Sequence, residues 1–316
     1  MDRRRFLLLA AAAPFGLRSV PAAAAPVRPR ALVTCDSQAR LAIVDLAAAR
    51  VVGHVSTLPD PRSIELVGAH VVICHTAVGA VSIVDARTLE VRRVVRGFGE
   101  PRYIAGSPDG RRAFVTDSDP SAVAAVDLAR GVVTDRLRLD EWARHVTLDP
   151  SGRLLWVGLG SASRRVALVD VDSGRLRLRH HVRPPFPAHD VVFAPGGAEV
   201  WVTSGAERET AIYAAGGALR TRLAADLPPQ HVAFAAGRAF VTSGDSRTCR
   251  VHDLAGRPIG IAAVAAGSYN VQAGPGRVLT PSLDDGVLTM LDVGGRVQAR
   301  VEVAPSCHDA CFLPVH

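Results

Sequence analysis

Side chains that could bind an anion or a metal ion recur at two adjacent positions in seven segments of the sequence. The first position, which we call row one, holds Arg62, Arg102, Arg144, His189, Gln230, Tyr269 and His308. The next position, row two, holds Ser63, Tyr103, His145, Asp190, His231, Asn270 and Asp309. Three equivalent arginines could hold a carboxylate or phosphate through forked hydrogen bonds. The histidines could titrate near neutral pH or bind a metal.

The two rows supply the candidate ligand-binding residues. These are Arg62, Arg102, Tyr103, Arg144, His145, His189, Asp190, His231, Tyr269, His308 and Asp309. The alternative is that polar side chains merely occupy a wet surface, where the nearby Glu65 and Glu100 would help to neutralise the arginines. Because successive side chains of a strand point to opposite sides, His189 and Asp190 are not expected to form a catalytic dyad. No catalytic residue is assigned.

The five cysteines are an odd number for an exported chain. The repeat alignment described below places Cys35 beside Cys307, with His75 and His308 in the same sector. Three interpretations stay open: a Cys35–Cys307 disulfide, a copper or zinc site made of Cys35, His75, Cys307 and His308, or buried thiols without a role. The sequence contains no CxxC, HExxH or CxxCH spacing. No specific metal motif supports the second interpretation, and no c-type haem attachment is encoded.

Both rows belong to a repeat of about 40 residues. An apolar pair followed by Asp and a turn recurs at Asp45, Asp85, Asp127, Asp170, Asp253 and Asp292. In the third repeat, turn residues separate four short apolar segments, at 102–107, 112–116, 122–128 and 132–139. Four antiparallel strands per repeat are typical of a propeller blade. The sequence therefore predicts an all-β, seven-bladed propeller in which the recurring Asp residues cap turns.

The two ends of the repeat array predict how the ring closes. Ala31 begins a second-type strand, and the first strand of that repeat is missing. The segment from Cys307 to Pro314 is a first-type strand with no repeat after it. We therefore expect the C-terminal strand to complete the N-terminal blade, which removes the open sheet edges. Rows one and two then lie at the start of the strand that lines the central channel.

Three segments resemble a known repeat. Residues 113–116, 200–203 and 239–242 read AFVT, VWVT and AFVT, each after a turn and before the strand that carries the recurring Asp or its equivalent. They resemble the YVTN repeat, and residues 31–316 resemble the seven-bladed YncE-like propellers. The resemblance implies the fold and says little about activity, because the wider superfamily includes binding proteins, lactonase-like enzymes and haem d1 propellers. The fifth repeat departs from the pattern, with Ala214 in place of Asp.

Residues 1–25 have the pattern of a signal peptide. Arg3, Arg4 and Arg5 precede a short apolar stretch and a run of alanines. The segment from Asp2 to Leu7 resembles a twin-arginine export motif. We therefore expect an exported protein, periplasmic or extracellular, in which residues 26–316 form one propeller domain. The apolar stretch is too short to span a bilayer, so no integral membrane segment is expected in the mature chain.

The charge pattern argues against nucleic acid as a partner. The net charge is +7, and all 37 basic residues are arginine. No dense arginine run lies in the body of the chain, so nucleic-acid binding is not indicated. We expect a monomer.

The expected function is that of a binding protein or scaffold that recognises a small anionic ligand or a protein partner at the channel mouth. One alternative is a lactonase-like hydrolase, although neither row contains Glu. Another is a carrier or assembly factor for a metal or a haem-type cofactor. The residues alone leave these alternatives open.

Overall fold

The computed structural model describes residues 28–160 and 162–314, which fold into seven four-stranded antiparallel sheets. In chain order the strands are β1 Arg30–Cys35, β2 Arg40–Asp45, β3 Arg50–Ser56, β4 Pro61–Val67, β5 His70–His75, β6 Ala80–Asp85, β7 Val91–Arg96, β8 Pro101–Gly106, β9 Arg112–Asp117, β10 Ala122–Asp127, β11 Val132–Arg138, β12 Val146–Leu148, β13 Leu154–Gly158, β14 Val166–Asp172, β15 Arg175–Val182, β16 Ala188–Phe193, β17 Glu199–Ser204, β18 Glu209–Ala214, β19 Leu219–Ala224, β20 Val232–Ala235, β21 Arg238–Ser243, β22 Thr248–Asp253, β23 Pro258–Ala263, β24 Gln272–Gly274, β25 Arg277–Pro281, β26 Val287–Asp292, β27 Val297–Glu302 and β28 Ala310–Phe312.

Helical structure in these residues is limited to two 3₁₀ turns, Asp36–Gln38 and Thr76–Val78. Neither these turns nor any other described segment forms a helix with the length and apolar character that a membrane crossing requires. The predicted signal peptide, residues 1–25, lies outside the described residues.

The seven sheets form the blades of a closed propeller. Blade one has the strand order β28-β1-β2-β3, and each later blade takes four consecutive strands from β4 onward. β28 pairs antiparallel with β1, with Phe312 opposite Ala31, and the Thr34 N–H donates to the Asp309 carbonyl at 2.9 Å. The first strands of neighbouring blades contact one another around the channel. The predicted seven-bladed fold and its closure by the C-terminal strand are therefore confirmed.

Burial explains the two hydropathy patterns in a blade. The middle strands β9 and β10 are packed between neighbouring blades on both faces, so their residues are almost continuously apolar and buried. The outermost strand β3 keeps one face in water, so exposed and half-buried residues alternate along it. The strand boundaries predicted for the third repeat agree with β8–β11 to within one residue.

The recurring Asp residues cap turns in most blades. Asp45 Oδ1 accepts hydrogen bonds from the N–H groups of Ala47 and Ala48, each at 2.9 Å, and the Ala48 N–H helps to hold the pKa of this carboxyl below its usual value. Asp170 differs, because its carboxylate pairs with the Arg179 guanidinium. Backbone bonds like those of Asp45 are accepted by Asp85, Asp127, Asp253 and Asp292.

A threonine hydroxyl in the second strand of four blades joins that blade to the next. Thr203 Oγ1 accepts the Asp190 N–H of its own blade at 3.0 Å and donates to the Gln230 carbonyl of the next blade at 2.6 Å. We call this pair of bonds a threonine bridge. The other bridges are made by Thr34, Thr116 and Thr242. Each bridge binds one row-two N–H and one row-one carbonyl, so it fixes the spacing of the rows around the channel.

Removing one bridge should weaken the fold. In Thr203→Val, two backbone groups lose their buried partner, and we expect the free energy of unfolding to fall by about 1–3 kcal/mol in urea denaturation. Thr289→Val is the matched control, because the Thr289 hydroxyl is buried and has no hydrogen-bond partner among the described residues. The control should be neutral or stabilising. Equal losses in the two variants would contradict the role of the bridge.

Candidate functional site

Rows one and two lie where the first strand of each blade is irregular. In blades one, four, six and seven this strand begins only after row two. In blades two, three and five its pairing with the second strand shifts register across the two rows, between Pro61 and Ile64, Pro101 and Ile104, and Ala188 and Val191. An irregular backbone does not impose strict alternation of side chains. Side chains from both rows therefore reach the channel mouth.

A cavity of about 240 Å³ lies at the channel mouth. We call it the mouth cavity. Among the described residues that line it, none is Asp or Glu, whereas two are arginines. The row-one residues in its lining are Arg62, Arg144, His189, Gln230, Tyr269 and His308, and those from row two are Tyr103, His231 and Asn270. The mouth cavity is therefore polar and positively charged.

Arg102 does not line the mouth cavity. Its Nη2 lies 3.0 Å from Glu100 Oε2, and its guanidinium stacks 5.3 Å from the ring centre of Trp142. Arg144 also lies over Trp142, at 5.6 Å, but it reaches the cavity as well. Of the three row-one arginines, only Arg62 and Arg144 therefore face the mouth cavity. Glu100 and Trp142 hold Arg102 outside it.

Three imidazoles from consecutive blades meet beside the mouth cavity. His145, His189 and His231 each offer a ring nitrogen within 4.8 Å of the other two. The ring centres of His145 and His189 are 4.5 Å apart, and those of His145 and His231 are 4.8 Å apart. The Tyr103 ring lies 4.1 Å from that of His145. No other group of three or more His, Cys, Asp or Glu side chains in residues 28–160 and 162–314 is placed to share one metal ion.

Asp190 acts across a blade boundary. Its Oδ2 lies 3.4 Å from His231 Nδ1 in the next blade and accepts the Val232 N–H at 3.1 Å. Its Oδ1 accepts the Val191 N–H at 2.9 Å. The carboxylate is thus anchored by the backbone and orients the His231 imidazole, whose Nε2 lies 3.5 Å from Tyr103 Oη. A His–Asp contact therefore exists here between blades.

Burial keeps His145, His189 and His308 uncharged at neutral pH. Burial, and then the His189 and His231 rings, holds the pKa of His145 well below its usual value. Burial and then His231 do the same for the pKa of His189. Burial and then Arg62 lower the pKa of His308. Neutral imidazoles keep a nitrogen lone pair that can accept a hydrogen bond or bind a metal, and these three do not titrate near neutral pH.

A second cavity, of about 400 Å³, lies deeper in the channel and is lined by carboxyl groups as well as apolar residues. Burial, followed by the charge of Asp309, raises the pKa of Glu65 to about 8. Burial also raises the pKa of Asp309 to about 6, against the effect of the Ile64 and Ala310 N–H groups that donate to it. Glu65 therefore lies too deep to neutralise the mouth arginines and is protonated at pH 7.

Cys35 and Cys307 are neighbours, as the repeat alignment predicted. All five cysteines are buried free thiols in this structure. The contact with Cys307 lowers the pKa of Cys35, and the same contact raises that of Cys307. The Cys35–Cys307 disulfide stays a prediction.

The four residues proposed as a cysteine–histidine metal site are not gathered around one point. His75 Nε2 lies 2.9 Å from Ser82 Oγ, and its Nδ1 lies 3.3 Å from the Pro59 carbonyl. His308 Nδ1 lies 3.0 Å from the Arg62 carbonyl. Both imidazoles therefore have partners other than the Cys35 and Cys307 thiols. The group of side chains that could share one metal ion is the three-histidine cluster. The sequence identified its members as row residues but did not show that the three side chains meet.

The raised pKa of the Glu65 carboxyl predicts that the free energy of unfolding falls as pH rises. In the unfolded chain Glu65 should titrate near 4.5, whereas in the folded protein its pKa is about 8, so the folded state holds the extra proton between these values. We expect the wild type to lose about 1–3 kcal/mol between pH 5 and pH 8, measured by urea denaturation. Glu65→Gln should flatten this decline, whereas the exposed control Glu302→Gln should keep it. A decline of wild-type size in Glu65→Gln would contradict the assignment.

Comparisons with known proteins agree on the architecture. No family model and no curated protein matches the chain. A functionally unknown protein from Desulfotomaculum acetoxidans superimposes with a TM-score of 0.79 at 12% identity, covering 91% of this chain and 99% of the other. A provisionally assigned 6-phosphogluconolactonase from Bacteroides uniformis gives 0.77 at 13% identity over 90% and 99%. Hydrazine synthase from Kuenenia stuttgartiensis gives 0.69 at 18% identity over 83% and 91%. At such identities the likeness establishes the fold alone, and the chain is a seven-bladed β-propeller.

Proposed function

We propose that this propeller is an exported binding protein that recognises a small anion at the mouth of its central channel. The observation that carries the proposal is the lining of the mouth cavity, where Arg62 and Arg144 are present and Asp and Glu are absent among the described residues. The membership of the YncE-like group suggested by the sequence is compatible with a binding role and does not specify a ligand.

The electrostatics of the cavity favour an anion. Burial raises the pKa of the Tyr103 hydroxyl to about 12, Arg144 and Arg62 act to lower it, and Asp309 and Asp190 add to the rise. The same two arginines lower the pKa of His308. Their positive field therefore extends across the cavity to groups on other blades. A carboxylate or phosphate oxygen placed there would accept charge-assisted hydrogen bonds from the guanidinium groups.

The Tyr103 hydroxyl would add a directional hydrogen bond to the anion, because it keeps its proton at neutral pH. Asn270 is already engaged, since its Nδ2 lies 2.7 Å from the His308 carbonyl oxygen and 3.2 Å from His308 Nδ1. The cavity volume of about 240 Å³ is smaller than the roughly 300–1,000 Å³ of sites for drug-sized ligands. It fits an anion of the size of phosphate or a short carboxylate.

Anion binding should depend on the two arginines that line the cavity. We expect titration calorimetry with inorganic phosphate, acetate and succinate to find at least one ligand for the full chain. Arg62→Ala and Arg144→Ala should each weaken its binding by about 10- to 100-fold, and added salt should weaken it too. Arg102→Ala is the matched control and should leave affinity unchanged, because Glu100 and Trp142 hold Arg102 outside the cavity. Absence of binding, or equal losses in all three variants, would overturn the proposal.

Export should require the arginine pair near the N-terminus. We expect the double variant Arg3→Lys and Arg4→Lys to remain in the cytoplasm, because a twin-arginine translocon reads the paired guanidinium groups. Cell fractionation followed by immunoblotting measures this, and Arg18→Lys serves as the charge-preserving control. Normal export of the double variant would argue for the general secretory route instead.

A further inference from the structure

We propose that His145, His189 and His231 bind one late first-row transition metal ion, such as Zn²⁺ or Cu²⁺, at the inner wall of the mouth cavity. Neutral imidazole suits both ions. The proposal does not depend on anion binding, because the metal ligands and the mouth arginines are different side chains. It also differs from the cysteine-containing site that the sequence suggested.

The spacing of the three imidazoles fits a single ion. Their ring nitrogens lie within 4.8 Å of one another. Two ligand nitrogens at 2.0–2.1 Å from a tetrahedral Zn²⁺ are about 3.3 Å apart, so each ring would move inward by less than about 1 Å. Rotations about the side-chain bonds can supply a shift of this size. Three protein ligands leave a further coordination position open.

His145 supplies a second, independent observation. Its side chain is buried, with 1% exposure, and neither ring nitrogen makes a hydrogen bond of normal geometry among the described residues. The His189 backbone lies close enough to oppose, in part, the lowering of the pKa of His145 that burial causes. Buried polar groups in folded proteins are nearly always satisfied, and an unsatisfied one costs about 1–3 kcal/mol. A metal ion bound between His145 and its two neighbours would satisfy one of these nitrogens.

His231 is held in an orientation that suits a ligand. Asp190 Oδ2 lies 3.4 Å from its Nδ1, which favours the tautomer with a proton on Nδ1 and a lone pair on Nε2. A bound ion would take over this lone pair from the Tyr103 hydroxyl. Metal-bound histidines usually donate their second N–H to a carboxylate, a backbone carbonyl or water. The negative charge of Asp190 also offsets part of the repulsion between the ion and Arg144. Tyr103 Oη, 3.5 Å from His231 Nε2, lies close to the expected ion.

Blade four lacks the threonine bridge beside this cluster. Gly158 occupies the second-strand position that carries the bridging threonine in blades one, three, five and six. A Cβ atom at Gly158 would lie 3.3 Å from the His189 carbonyl oxygen and 3.7 Å from His145 Cβ. The His189 carbonyl is equivalent to the acceptor that a bridging threonine uses in other blades. The backbones of two of the three proposed ligands, His145 and His189, are therefore not joined by a threonine hydroxyl.

The first test is metal binding by the full chain after dialysis against a chelator. We expect calorimetry and metal analysis to find one Zn²⁺ per chain, and bound Co²⁺ to give the visible absorption of a nitrogen-coordinated site. His145→Ala and His189→Ala should each weaken Zn²⁺ binding by at least about 100-fold, and Asp190→Asn by about 10- to 100-fold. The control His180→Ala, on the exposed face of β15, should bind as the wild type does.

The outcomes separate this proposal from the previous one. His189 lines the open cavity, so His189→Ala keeps the test decisive if His145→Ala fails to fold, as judged by circular dichroism. Arg62→Ala should lose anion affinity and keep Zn²⁺ binding. If the wild type binds no Zn²⁺ or Cu²⁺, or if folded His189→Ala binds Zn²⁺ with wild-type affinity, the three histidines are a packed polar cluster and the metal site is refuted.

Discussion

The hydrogen bonds of one threonine hydroxyl per bridged blade hold the channel together. In blade five, Thr203 binds the Asp190 N–H on one side and the Gln230 carbonyl of the next blade on the other. Sheets in a propeller contact their neighbours mainly through apolar side chains, which are not directional. The threonine bridge adds direction at the axis, where it fixes the backbone of both rows. The positions of the charged and polar groups at the mouth depend on this constraint.

The channel is not symmetric, because the repeat is broken where the histidines meet. Blade four has Gly158 in place of the bridging threonine, and its row-two residue is His145, which is buried without hydrogen-bond partners among the described residues. In the bridged blades this position carries a hydroxyl that joins two backbones. In blade four it lies beside the His189 carbonyl and His145 Cβ, so no threonine hydroxyl joins these two residues of the candidate site.

The arginines and the carboxyl groups lie at different depths in the channel. Arg62 and Arg144 are at the mouth, whereas Glu65 and Asp309 line the deeper cavity and have raised pKa values. A carboxyl group in a desolvated channel favours its neutral form, so Glu65, with a pKa of about 8, holds its proton at neutral pH and adds no negative charge. Asp309, with a pKa of about 6, remains largely ionised at pH 7. The mouth cavity, which has arginines and no Asp or Glu among its described lining residues, is therefore the part of the channel that favours an anion.

The sequence by itself determined the seven blades, the strand boundaries of the third repeat and the closure by the C-terminal strand. These follow from local signals: a period near 40 residues, apolar runs of strand length and Asp-containing turns. It also identified both rows, since equivalent positions recur. Only the tertiary structure decided which row residues contact one another. Because the first strands are irregular where they begin, successive side chains there do not simply alternate between the two sides of the strand. The packing of neighbouring blades brought His145 to His189 and Asp190 to His231, and a loop tryptophan with Glu100 removed Arg102 from the cavity.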